Sequence, residues 1–221
     1  MSYPALSHAQ HGNGLMLIPL DQLILLGWIA VIGASLNVIG DWLLLAFPRS
    51  GRDMKMTLIA KKPAWSVRLG AYLGMLAIPM WLFVLFPVAY LLRDAPVLWA
   101  ATALIALTFS ICFSLVYHVS YVFYDIAYRH FTDSIDAVTT EKECMQLIMK
   151  PVGVTMGIAI LIAGLLANAP PLWLVANPLL LAVLLPFASR YVPAPLGGYA
   201  LTGAGSFAFG IFALVTMLSV N

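Results

Sequence analysis

From Gln22 to Phe47 nearly every residue is apolar, and the polar ones inside the run are Ser35, Asn37 and Asp41. Five more apolar runs follow, at about 65–92, 97–124, 145–166, 172–189 and 198–219. A helix rises 1.5 Å per residue, so ~20 apolar residues cross a ~30 Å hydrocarbon core. The pattern predicts an all-α integral membrane bundle of about six transmembrane helices, forming one domain over residues 1–221. A membrane barrel would instead show short alternating segments. The fifth run is the shortest and holds Pro178 and Pro186, so it is expected to kink. Residues 131–144 are too polar to make a seventh span. In that stretch Thr140 and Glu143 are placed to form a capping box for the fourth helix.

Composition agrees with the pattern. The chain is 62% hydrophobic with a mean hydropathy of +0.97, well above the ~45–50% apolar content of soluble domains. The net charge is only +2, so nothing points to nucleic acid. The position of the basic residues is more informative. Arg49, Arg52, Lys55, Lys61 and Lys62 lie between the first two runs, and Arg129, Lys142 and Lys150 around the third loop. Arg190 lies in the fifth loop. The positive-inside rule then places loops one, three and five in the cytoplasm. The expected setting is a bacterial inner membrane with both termini outside.

Two stretches carry chemistry. In the first run Asn37 and Asp41 are four residues apart, on one helix face, with Gly33, Ser35 and Gly40 as small neighbours. A carboxylate in a membrane helix costs about 2.5–3.5 kcal/mol on insertion scales, which makes it a candidate functional residue. A structural reading is also open: Asp41 near headgroup depth, paired with Arg68 or a loop lysine. The second stretch is SLVYHVSYVFYDIAYRHF, residues 114–131, where the third run ends. Tyr117, Tyr121, Tyr124 and Tyr128 fall at spacings of four, three and four, one helical stripe. His118, Tyr121 and Asp125 share a face, and Asp125 with Arg129 makes an i,i+4 ion pair. An interfacial aromatic belt explains one or two tyrosines. Four beside a histidine and an aspartate suggest a face turned toward protein or a cavity. The small-residue run GGYALTGAGSFAFG in the last span reads as close helix packing.

Several functions are disfavoured. Ionisable residues gather at one depth, whereas a channel or proton pump needs polar groups across the whole thickness. The last span has no lysine for a Schiff base. His118 and His130 are twelve apart, with no HxxxH or HExxH spacing, and no GxSxG elbow occurs. No metal or other cofactor is expected. The residues suit a small membrane enzyme acting on a lipid or isoprenoid at the cytoplasmic leaflet. Asp41, His118 and Asp125 would be the acid–base groups, and the reaction an isomerisation, hydration or cyclisation. Asn37, Arg68, Tyr117, Tyr121 and Tyr124 would contact substrate, the tyrosines by steadying positive charge. A transporter or binding protein for a small apolar molecule is the alternative, and a structural or assembly subunit the second. The expected partners are membrane lipids and a hydrophobic small molecule, with a homo-oligomer left open.

The order NVIGDWLL, a basic loop, AWSVRLGAYLGMLAIPMWLF and then YHVSYVFY resembles an uncharacterised bacterial multi-pass membrane family of unknown function. The resemblance spans the first three runs. It implies a helical membrane fold, carries no activity to transfer, and marks Asp41, Arg68 and His118 as positions to test.

Overall fold

A computed structural model describes residues 18–45, 62–130, 135–189, 191–193, 196 and 202–220, with the backbone alone at 128 and 135–146. Among them all regular structure is helical. Helix α1 spans Leu20–Leu45, α2 Ala64–Trp81, α3 Leu85–Leu91, α4 Val97–His130 and α5 Ile135–Leu166. Helices α6 (Pro171–Val175), α7 (Pro178–Ser189) and α8 (Ala204–Ser219) complete the order. Four stretches are long and apolar enough to cross a membrane: Leu20–Leu45, Ala64–Leu91, Val97–Ala127 and Leu147–Leu166. Their outer faces carry exposed Leu25, Trp28, Leu76, Ile105, Phe109 and Leu165. Such a surface suits lipid rather than water. The chain is an integral membrane helical bundle.

Prolines set the interruptions. Between α2 and α3 the chain tightens into a 3-10 turn at Leu82–Val84. Pro87 lies just beyond it, and its ring would crowd the carbonyl of Phe83 in a regular α-helix. The predicted fifth span is two helices, not one kinked helix. The break falls at Asn177, whose successor Pro178 disfavours helical geometry before it. Pro178 takes the first position of α7, and the Asn177 side-chain oxygen accepts from the backbone N–H of Leu179 at 2.9 Å. Twelve residues give α7 a length of about 18 Å, and sixteen give α8 about 24 Å. Both fall short of a ~30 Å crossing.

Two helices outrun their apolar segments. Helix α4 continues past Tyr124 to His130, and α5 begins at Ile135, ten residues before the expected start. Thr140 is therefore inside α5, not at its cap. No glycine or proline interrupts 125–130 or 135–144, so a polar sequence extends each helix beyond the hydrocarbon.

Helix α1 packs along α2 and α8, and α4 packs against α2 and α5. The α1–α2 seam is the closest. A Cβ on Gly70 would lie 2.6 Å from the Gly40 carbonyl oxygen and 2.8 Å from the Leu44 nitrogen. Gly70 and Gly74 form a small-xxx-small pair, which lets two backbones approach. The main core runs through Ala30, Ile78, Val88, Leu107, Ile160 and Phe212. In α8, Thr216 accepts a hydrogen bond from Trp173 Nε1 at 2.9 Å, tying α6 to this core.

Candidate functional site

Asn37 and Asp41 lie one turn apart on the face of α1 that turns inward. They are 1% and 7% exposed. His118 reaches them from α4 and Ser206 from α8, both buried. His118 Nε2 stands 3.3 Å from Asp41 Oδ1. Ser206 Oγ donates to Asp41 Oδ2 at 2.5 Å, and Asn37 Nδ2 donates to Ser206 Oγ at 2.7 Å. The amide nitrogen of Asn37 also lies 3.5 Å from His118 Nε2. The donors thus run in one direction, from amide to hydroxyl to carboxylate, with the imidazole at the second carboxylate oxygen.

The backbone of α2 makes room for this. A Cβ on Gly74 would overlap the His118 ring at Nδ1. Glycine there is what admits the imidazole against α2. His118 Nδ1 has no hydrogen-bond partner among the described residues. A tautomer with its proton on Nε2 leaves only an unused lone pair at Nδ1 and directs the N–H at Asp41. The reverse tautomer would bury an unsatisfied donor, at a cost of about 1–3 kcal/mol.

These residues wall a cavity of about 270 Å³ between α1, α2, α4, α5, α7 and α8. On α4, Ser110, Ser114 and His118 recur every fourth residue and face it as one stripe. Ser114 turns its hydroxyl back to the Ser110 carbonyl at 2.9 Å. Trp81, Leu107, Met156 and Phe209 supply apolar wall. Two lining residues, Ala182 of α7 and Gly205 of α8, are exposed, so the cavity is not sealed.

The other expected site residues form a separate layer. Tyr121 and Tyr124 are buried and pack with Leu44, Val67 and Ala71. Tyr121 donates to the Tyr117 hydroxyl at 2.6 Å, and its ring meets those of Tyr117, Tyr124 and His118 edge-on. None of these tyrosines lines the cavity. Asp125, 1% exposed, accepts from Arg129 Nε at 2.5 Å, the expected i,i+4 pair. Arg129 Nη2 also donates to the Lys62 carbonyl at 2.6 Å. Lys62 Nζ donates to the carbonyls of Trp42 and Leu43, and Ser66 Oγ donates to the latter at 2.7 Å. The last carbonyls of a helix lack intrahelical partners, so Lys62 and Ser66 cap the end of α1. Burial lowers the Lys62 amine from 10.5 to about 8. Arg68 points outward from α2 and lies away from the cavity. The side chain of Tyr128 lies outside the described residues.

Of the eight expected site residues the structure joins Asn37, Asp41 and His118, and sets the tyrosines and Asp125 beside them. Ser206, Trp81 and the Ser110–Ser114 stripe join the wall without having been expected. The serine stripe was legible, because its spacing of four ends on His118. Ser206 was hidden in a run of small residues. Among the described residues no three of His, Cys, Asp and Glu gather closely enough to hold a metal ion.

Fold and site together define a helical membrane protein with a buried Asp–His pair at the wall of a partly open cavity. The chain belongs to a family described as a family of unknown function (DUF6796), which it matches over residues 21–221. No curated protein and no solved structure matches it.

Proposed function

We propose that this protein is a membrane-embedded enzyme performing acid–base chemistry on a small hydrophobic substrate taken from the bilayer. The observation that carries this reading is the 3.3 Å contact between Asp41 and His118 at the cavity wall. A carboxyl and an imidazole in contact pass a proton between them. Asp41, whose oxygens keep spare lone pairs, gives or takes one at a substrate placed in the cavity while His118 serves it through Nε2. Ser206 orients the carboxyl from its other oxygen, and Gly74 backs the imidazole. The reactions that need only a positioned proton donor and acceptor are isomerisation, hydration and cyclisation. Tyr117, Tyr121 and Tyr124 support the site from below, Tyr121 through its edge contact with His118. Asp125 serves Arg129, not the substrate.

The basic residues of the odd-numbered loops support a bacterial inner membrane with both termini outside. Asp41 precedes the end of α1 by four residues, about 6 Å along the axis. The pair then lies close to the cytoplasmic leaflet. A binding protein or carrier is the second reading. The exposed lining residues Ala182 and Gly205 favour it, since an opening serves passage as well as turnover.

Native mass spectrometry of the gently released protein and of Asp41→Asn tests both. The enzyme reading expects Asp41→Asn to retain a molecule that the wild type converts, so the two carry different masses, with turnover down by ~10²–10⁴. One molecule held equally by both forms overturns the enzyme in favour of the carrier. An empty cavity in both forms overturns the two readings together and leaves an assembly role.

A further inference from the structure

The hydrogen-bond chain onto Asp41 leaves two buried polar atoms unused on residues of the cavity wall. Asn37 gives its amide N–H to Ser206, and its Oδ1 has no partner among the described residues. Trp81 lies flat on Phe209, with ring centroids 4.1 Å apart and planes at 11°, and its Nε1 also has no partner among them. Both residues line the cavity and both are at least nine-tenths buried. One atom is an acceptor and the other a donor.

Their helices hold them near each other. Trp81 Cδ1, which is bonded to Nε1, lies 3.3 Å from the point a Cβ on Gly33 would occupy. Asn37 is one turn beyond Gly33 on the same face of α1, about 6 Å along the axis. A hydrocarbon surround offers nothing to satisfy such groups from outside. The cavity that both residues line is the space from which a bound group reaches them, with a small turn of each side chain, since both atoms are covered as they stand.

We infer that the cavity takes a hydrophobic molecule bearing a hydroxyl, which donates to Asn37 Oδ1 and accepts from Trp81 Nε1. A ketone or ether oxygen answers only the tryptophan, and an alkene answers neither. The hydroxyl then lies one turn from Asp41, within the same wall as His118. At about 270 Å³ the cavity is just below the ~300 Å³ lower end for small-molecule pockets. It holds a short alcohol or the hydroxylated head of a longer one, with the tail leaving past Ala182 and Gly205. This rests on the cavity being a substrate site and narrows the substrate to alcohols.

The test compares 1-decanol with decyl methyl ether, binding to the full chain in lipid nanodiscs, each corrected for partition into empty discs. The ether keeps the oxygen and loses the donor. The wild type is expected to bind the alcohol about tenfold more tightly. Trp81→Phe keeps the stack on Phe209 and weakens both ligands about tenfold. Gly205→Leu enlarges a cavity-lining position where an added Cβ meets nothing within 4 Å, and is expected to abolish binding of both. Equal affinity for alcohol and ether in the wild type overturns the hydroxyl assignment and leaves the acid–base reading intact. Binding that Gly205→Leu does not alter, or none at all, overturns the inference. The Asp41→Asn mass comparison needs no added ligand and decides the enzyme reading separately.

Discussion

Gly74 carries no side chain because the His118 ring fills its place. A single methyl there overlaps the ring at Nδ1 and pushes the imidazole off Asp41. Gly74→Ala is expected to lose most turnover and about 1–3 kcal/mol of stability, the usual cost of overpacking. Activity and thermal unfolding in detergent check both effects. Retained activity would mean that His118 works elsewhere than at Asp41. At this scale the sequence was informative where a polar residue stood alone in an apolar helix. Asn37, Asp41 and His118 are each conspicuous for that reason. Their meeting was not legible, because no interhelix distance is encoded in one chain's spacing. Ser206 was illegible for the opposite reason: serine is small enough to pass as packing. Arg68 was chosen for its depth, and depth does not say which way a side chain turns.

The end of α1 is held by side chains from other elements. Arg129 joins Asp125 to the Lys62 carbonyl, and Lys62 caps α1. Arg129→Ala leaves the Asp125 carboxyl buried without its counter-charge, an expected loss of about 3–5 kcal/mol. Arg129→Lys returns the charge but not the forked geometry, so it rescues in part. Unfolding midpoints of the two variants check the order. Lys62 adds a pH dependence. It releases its proton near pH 8 when folded and near 10.5 when unfolded. Between those values the unfolded chain holds more protons, so stability rises with pH. The wild-type midpoint should climb relative to Lys62→Met between pH 8 and 10, and run parallel to it below pH 8. The elements themselves were legible as apolar runs. Their ends were not, because α4 and α5 continue as polar helix where hydropathy falls away. The break before Pro178 needed an asparagine cap that hydropathy does not see.

The whole molecule offers a surface for lipid and, between its helices, a partly open cavity. Its helical membrane class follows from composition together with the length of its apolar runs, since only helices and closed barrels satisfy a backbone in a bilayer and a barrel would show short alternating segments. Orientation is a matter of loop charge. A C-terminal alkaline phosphatase fusion, active only outside the cytoplasm, is expected to be active. A silent fusion with an active cytoplasmic reporter at the same site would reverse the orientation and move the Asp–His pair to the opposite leaflet. Enlarging α8 at Gly205 separates cavity from fold, because an added Cβ there meets nothing within 4 Å.

The His118 ring against Gly74 also ties two positions together in descent. They share one volume, so neither is free to drift alone. Among relatives that keep histidine at 118, position 74 should stay glycine. A larger residue at 74 should be found only where 118 has become smaller, in lineages that have also given up the Asp41 partnership. An alignment of the family would read that history directly, as a correlated pair on two helices separated by 44 residues of chain.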